Sequence, residues 1–385
     1  MELTIGQEKA IKIAVERYKN KEKYTVISGA AGVGKTTVIK YIVDKLGMYD
    51  GDVVFAAYTG KASLVLRNKG CQNAMTLHKL LYIPKRLAND DVEFIERDML
   101  EGSWKLIVVD EVSMCPTAMW NLLLKHGVYV VALGDPFQLP AIEESNNNHL
   151  LDRPHVFLDE IVRQAKESDI IRVATDLRNS TPLQLQKSND VWVVERKNVT
   201  ERMLMGADIV ICGRNDTRRK LNRQMRQLKW GNKYTDAPMN GDKLIGLQNK
   251  WKITDTTGET PLVNGMIGEI SRVTFTETKT LHPKMTAKFT AETGEVFRKD
   301  QMSIDYQLLL TGEPTVNKDN WKMFYKVQKP IEMDFAYAVT CHKYQGSQAD
   351  KVVVFCEPMG SDREQYFRWL YTAATRSSKR LVMVI

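Results

Sequence analysis

Two groups of residues in this chain have the types and spacing for phosphate chemistry. The first is Gly29-Ala30-Ala31-Gly32-Val33-Gly34-Lys35-Thr36, a GxxxxGK[ST] run. Its glycines let backbone N–H groups turn inward around phosphate oxygens, and a helix beginning at Lys35-Thr36 adds partial positive charge. Lys35 then reaches the β- and γ-phosphates, and the Thr36 hydroxyl is placed to bind Mg²⁺. The second is Asp110-Glu111. Asp110 can hold Mg²⁺ and Glu111 can take a proton from an attacking water. Adjacent acids at the end of an apolar run are costly unless metal or protons compensate them. Gln138, in Gly134-Asp135-Pro136-Phe137-Gln138, either hydrogen-bonds a γ-phosphate or its attacking water, or is a polar turn residue.

These residues need a scaffold, and the apolar runs supply one. Tyr24–Ser28, Val53–Ala57, Leu106–Asp110 and Tyr129–Leu133 read as short buried strands. Helical spacing predicts helices over 5–20, 36–46 and 60–69. Strand alternating with helix predicts a parallel sheet covered on both faces. The pattern restarts with a strand at Asp208–Cys212 and a helix at Thr217–Trp230, and returns at Lys351–Phe355 and Arg380–Ile385. Between them, Lys243–Leu247, Gly268–Phe275, Thr286–Ala291 and Glu295–Arg298 are β-rich pieces separated by turn residues. They predict a small antiparallel module inserted in the second α/β unit.

The 385 residues, 43% hydrophobic and 26% charged, suffice for two or three domains and exclude global disorder. No apolar run is long enough to span a membrane, and the Met1 start shows no targeting extension. Five cysteines without a CxxC pair exclude a disulfide scaffold and a zinc ribbon and suit a reducing cytosol. The six histidines, among them His126, His149, His155 and His282, have no metal-ligand spacing. The net charge of +8 is uneven: residues 201–250 carry 11 Lys/Arg against 5 Asp/Glu. That excess points to a polyanionic partner or to a solvated helix face. On the predicted helix, Arg219, Arg223 and Arg226 share one face, which either supports the phosphates of a polyanion or faces water.

The motifs in order resemble a superfamily 1 DNA helicase of the RecD-like/Dda-like group, over nearly the whole chain. Leu3-Thr-Ile-Gly-Gln7 resembles the family's adenine-reading glutamine motif. Tyr58-Thr59-Gly60-Lys61-Ala62 resembles motif Ia and Thr76-Leu77-His78 motif Ib. Asp110-Glu111 and Gly134–Gln138 match motifs II and III, and Glu160-Ile-Val-Arg163 looks like motif IV. Thr340-Cys-His342-Lys343-Tyr-Gln345-Gly346-Ser347 is the most specific signature, and Leu370–Arg376 closes the set as motif VI.

The resemblance implies an α/β fold of two RecA-like parallel-sheet P-loop domains with ATP in the cleft between them. Domain 1A would span 1–165, with a short strand-separating pin insertion at 82–104. Domain 2A would span 166–240 and 331–385, with an SH3-like β insertion at 241–330. Gln7, Gly29, Ala30, Ala31, Gly32, Val33, Gly34, Lys35, Thr36, Thr37 and Gly346 would bind nucleotide. Lys35, Asp110, Glu111, Gln138, Arg163 and Arg376 would carry catalysis, with Mg²⁺ on Thr36 and Asp110. Arg376 would act as an arginine finger, against the alternative of a surface salt bridge. Single-stranded DNA would meet Thr59, Lys61, Thr76, His78, Thr340, His342 and Lys343. Phe94 would be either an exposed apolar tip that wedges strands apart or part of a local core.

The expected activity is ATP-dependent 5′-to-3′ translocation and unwinding, in replication, recombination or repair. The alternatives are a translocase that displaces proteins with little unwinding, and a nucleotide-gated DNA-binding module. The expected partners are single-stranded and tailed duplex DNA, with single-strand-binding protein or a replisome beyond them. The expected setting is a cytoplasmic monomer of the minimal phage or bacterial type, without the N-terminal domain of larger relatives.

Overall fold

The computed structural model describes residues 3–86, 92–140, 149–162, 167–258, 260–276, 284–315, 329–359 and 362–385. Arg163 and His282 lie outside these residues. The chain divides into two compact units. One comprises Met1–Arg86, Val92–Asn198 and Gln345–Ile385, and the other is centred on Val199–Tyr344.

The first unit begins with helix α1 (Ile5–Lys19), capped by Thr4, whose side chain accepts from the Gln7 amide in a reciprocal capping box. Strand β1 (Tyr24–Gly29) leads into the glycine loop and helix α2 (Lys35–Lys45). Next come β2 (Val53–Ala57), α3 (Gly60–Asn68), β3 (Ala74–Thr76) and α4 (Leu77–Leu81). A hairpin of β4 (Tyr82–Arg86) and β5 (Val92–Glu96) follows, then β6 (Leu106–Asp110), α5 (Thr117–Lys125), β7 (Tyr129–Gly134) and β8 (Val156–Leu158). The sheet order is β3-β2-β6-β7-β1-β8, and its pairs are parallel. Its interior strands are buried on both faces, which is why β1, β2, β6 and β7 read as continuous apolar runs. Ile27, Val108 and Val131 pack under α1 and α2, while Val54, Ile107 and Val130 pack with Leu77, Leu81 and Leu123 on the opposite face.

The same unit holds strands of a second parallel sheet. Val191–Val194 and Ala349–Phe355 flank Ser377–Val384 in parallel register, and helix Arg363–Ala374 precedes the last of these. In the second unit, Ile209–Cys212 pairs in parallel with Ala338–Thr340, and the basic helix runs Asn215–Trp230. The β-rich stretch forms an antiparallel sheet in which Ile267–Thr276 pairs with Lys284–Ala291 and with Lys243–Gly246. The fold is that of two RecA-like parallel-sheet domains with added β structure. Among the described residues, no helix is long and apolar enough to cross a membrane.

Arg226 does not share a solvent face with Arg219 and Arg223. Its side chain is 3% exposed, against Asp242 at 0%. The guanidinium meets both Asp242 carboxylate oxygens at 2.9–3.1 Å and also donates to the carbonyls of Asp236 and Ala237. Trp230 Nε1, Tyr337 Oη and the Met239 amide donate to the same carboxylate. A buried acid sixteen residues further on captures the arginine that helical spacing alone places outside. Arg226→Ala leaves this carboxylate buried with its cation removed, so it should destabilise the protein by about 3–5 kcal/mol. Chemical denaturation followed by circular dichroism checks this; a loss below about 1 kcal/mol contradicts it.

Candidate active site

The phosphate loop leaves the C-terminal edge of β1, between β7 and β8, where open parallel sheets place their ligands. Gly34 caps α2 with φ +75°, a left-handed conformation that suits glycine. A Cβ there would also lie 2.5 Å from Gln7 Nε2. Gln7 is buried and engaged at both ends: Oε1 accepts from the Thr4 amide at 3.1 Å and Nε2 donates to the Val33 carbonyl at 2.9 Å. It braces the loop against the start of α1. The Val162 amide donates to the Gly32 carbonyl at 3.1 Å, so the segment leading to Arg163 runs along the loop. Lys35 Nζ donates to the carbonyls of Gly29 and Ala30 at 2.6 and 3.0 Å.

The acidic pair ends β6. Glu111 takes φ +53°, an uncommon conformation for a non-glycine residue and of the kind that clusters at functional sites. The Glu111 amide donates to Asp110 Oδ1 at 3.0 Å. Burial pushes both carboxyls above their ordinary range. Lys35 opposes this most at Asp110, and Arg376 most at Glu111. Arg376 is buried, its guanidinium donating to the carbonyls of Thr372 and Ser347 and to Thr375 Oγ1. Its surroundings are not those of a surface salt bridge.

Gln138 Nε2 donates to Asp135 Oδ2 at 3.3 Å, and the Phe137 amide donates to Asp135 Oδ1 at 3.0 Å. Asp135 Oδ2 also accepts from Tyr371 Oη at 2.7 Å. The hydroxyl of Tyr371 in turn accepts from the Ala31 amide of the phosphate loop at 2.8 Å. Sequence reasoning missed Tyr371 as a site residue. The signal available was a hydroxyl-bearing ring on the helix leading to Arg376.

The DNA-contact candidates fall in two places. In the first unit, Thr59 and Thr76 cap α3 and α4, and Lys61 lies in the first turn of α3. The His78 ring lies 5.5–5.8 Å from those of Tyr58, Tyr82 and Phe94, and burial lowers its pKa. Phe94 is not at a hairpin apex. It sits mid-strand in β5, in register with Pro84, and is 39% exposed. The strand pairing carries it there, since β5 continues on both sides of it. A Cβ on Gly346, at φ +70°, would meet the Ala62 Cβ at 3.1 Å and Thr59 Oγ1 at 3.6 Å. Glycine at this position allows a close approach to the start of α3. In the second unit, Thr340 ends its strand, and His342 and Lys343 form the next turn. Burial lowers the pKa of both His342 and Lys343, the charge of Arg218 adding to it at Lys343.

The parallel sheet, the phosphate loop and the acidic pair define a P-loop nucleotide-binding domain. Residues 2–196 match the AAA domain family, and residues 335–384 match the UvrD-like helicase C-terminal domain. The chain is 30% identical to the ATP-dependent DNA helicase Dda of Enterobacteria phage T4 over 190 residues, 46% of this chain and 43% of that protein. It is 30% identical to the ATP-dependent RecD2 DNA helicase of Deinococcus radiodurans over 185 residues, 46% of this chain and 24% of that protein. These matches therefore span less than half of either relative. A crystal structure of Bacteroides Pif1 bound to single-stranded DNA superposes with a TM-score of 0.54 at 19% identity, covering 100% of this chain and 92% of that one. The chain belongs to the AAA domain family, and it resembles the superfamily 1 helicases of the Dda and RecD group.

The bracing role of Gln7 gives a prediction separable from adenine reading. Gln7→Ala removes a capping bond and the support of Val33, so it should cost about 1–3 kcal/mol in the absence of nucleotide. Thermal unfolding without nucleotide measures this. An unchanged midpoint would confine Gln7 to contacts made with ligand.

Proposed function

We propose that this chain is an ATP-dependent DNA helicase that moves 5′ to 3′ along single-stranded DNA and separates duplex ahead of it. The carrying observation is that the phosphate loop holding Lys35 is tied through Tyr371 to the helix that anchors the buried Arg376, in the same unit as the acidic pair Asp110-Glu111 that ends β6. That arrangement suits phosphoryl transfer to water, which needs positioning and charge neutralisation more than covalent chemistry.

In this reading Lys35 and the loop amides hold the β- and γ-phosphates. Glu111 takes a proton from water as its oxygen bonds to the γ-phosphorus and the bond to ADP breaks. Arg376, with Arg163 in the same proposed role, neutralises charge that develops on the transferred phosphoryl group, and Gln138 orients the γ-phosphate or the water. Thr36 and Asp110 would hold Mg²⁺. The residues fit a hard cation, since both donors are oxygens and Asp110 is a half-buried acid whose ionised form desolvation disfavours. When bound, the ion supplies further neutralisation of phosphate charge. The proposed domain boundaries lie at 165, 240 and 330, with 241–330 as an SH3-like insertion.

Single-stranded DNA is the proposed track, held at Thr59, Lys61, Thr76 and His78 in one domain and at Thr340, His342 and Lys343 in the other. Arg219 and Arg223 remain candidates for phosphate contacts. Tailed duplex is the proposed substrate, in a cytoplasmic setting and acted on by a monomer. The half-exposed Phe94, against His78 and Tyr82, is proposed to stack on the last base pair.

Strand displacement on 5′-tailed, 3′-tailed and blunt duplexes tests this reading. Unwinding is expected with the 5′ tail and not with the others. Phe94→Ala should cut unwinding several-fold more than DNA-stimulated ATP hydrolysis, because translocation needs no wedge. Unwinding from the 3′ tail would refute the polarity, and a parallel fall of both rates would refute the wedge.

A further inference from the structure

The helix Arg363–Ala374 is fastened to the first sheet by adjacent side chains. Tyr371 Oη accepts from the Ala31 amide at 2.8 Å and donates to Asp135 Oδ2 at 2.7 Å. Thr372 Oγ1 accepts from the Leu139 amide at 2.9 Å, and Gln345 Nε2 donates to the Leu139 carbonyl at 2.8 Å. The Tyr371 ring is buried and meets Phe137 edge-on at 6.1 Å. One hydroxyl thus uses its proton on the loop that carries Gln138 and its lone pair on the phosphate loop. Burial, with the charge of Asp135, pushes its pKa up, so it stays a neutral donor across the working pH range.

The geometry has consequences on both sides. Asp135 Oδ2 receives Tyr371 Oη and Gln138 Nε2 together, so the hydroxyl fixes the carboxylate that orients the Gln138 amide. On the other side, the Arg376 guanidinium is anchored to Thr372 and Thr375, within the turn that follows Tyr371. A shift of this helix relative to the phosphate loop would therefore displace Arg376.

We propose that Tyr371 is a positioning residue for ATP hydrolysis: its hydroxyl ties the phosphate loop, the Gln138 loop and the Arg376 helix into one register. Tyr371 acts through Asp135 and Arg376 and not by touching the reacting atoms. The inference deepens the proposed function and rests on it.

The test is Tyr371→Phe in the full chain, which keeps the ring and removes the hydroxyl. Three quantities are read: affinity for a fluorescent ADP analogue, the thermal midpoint, and kcat and KM for DNA-stimulated ATP hydrolysis. The expected result is a fall in kcat of about tenfold or more, with ADP affinity and KM within about threefold of wild type. A double-mutant cycle with Asp135→Ala should be strongly non-additive, because both changes break the Tyr371–Asp135 hydrogen bond. An unchanged kcat overturns the proposal. So does a kcat loss matched by an equal loss of ADP affinity, or additive behaviour in the cycle. A Tyr371→Phe chain that does not fold also overturns it, because the hydroxyl is then structural. A wild-type chain without ATPase activity would sink the functional reading itself; an active wild type with an unaffected Tyr371→Phe sinks only this inference.

Discussion

Two carboxylates side by side at the end of a buried strand are a standing electrostatic problem, and the active-site half of this protein is arranged around it. β6 carries Asp110 to the sheet edge, and Glu111 turns away in a left-handed conformation. Burial disfavours the charge on both, and two cations oppose that from different parts of the chain. Lys35 is held by the phosphate loop, which Gln7 braces. Arg376 is held by its own helix turn, which Tyr371 and Thr372 fasten back to the first sheet. Each of these supports is a hydrogen bond to backbone or to a buried group, the kind that is costly to leave unmade.

The second unit uses the same physics for a different end. Asp242 is fully buried and is compensated by Arg226, Trp230, Tyr337 and a backbone amide. Arg226 also stacks 4.0 Å over Phe335. No phosphate chemistry is implied here. The cluster joins the basic helix to the β-rich sheet that begins at Lys243, so a charge in the middle of an arginine-rich face becomes an internal fastening.

Much of the fold was legible because its central strands are buried on both faces. Val53–Ala57 and Leu106–Asp110 are continuous apolar runs, and their bounds in the structure match the sequence reading. β3 and β8, three residues each, are too short to make a pattern. The phosphate loop and acidic pair were legible because their chemistry is local in sequence. Arg226 was not: helical spacing describes a face but cannot see Asp242 in another element. Phe94 was left open between an exposed tip and a local core, because strand register is set by the pairing partner. Tyr371 was passed over because a tyrosine in an apolar helix looks like core until its hydroxyl is seen to bridge two loops.

The proposed role of the Asp110-Glu111 pair is that of a hydrolytic centre and not of a structural cap. The most direct test is DNA-stimulated ATP hydrolysis by wild type and Glu111→Gln, with binding of a fluorescent ADP analogue measured on the same samples. The substitution keeps the shape and removes the base. Nucleotide affinity should be retained while turnover falls by roughly 10²–10⁴. Equal turnover in the two proteins would contradict the account.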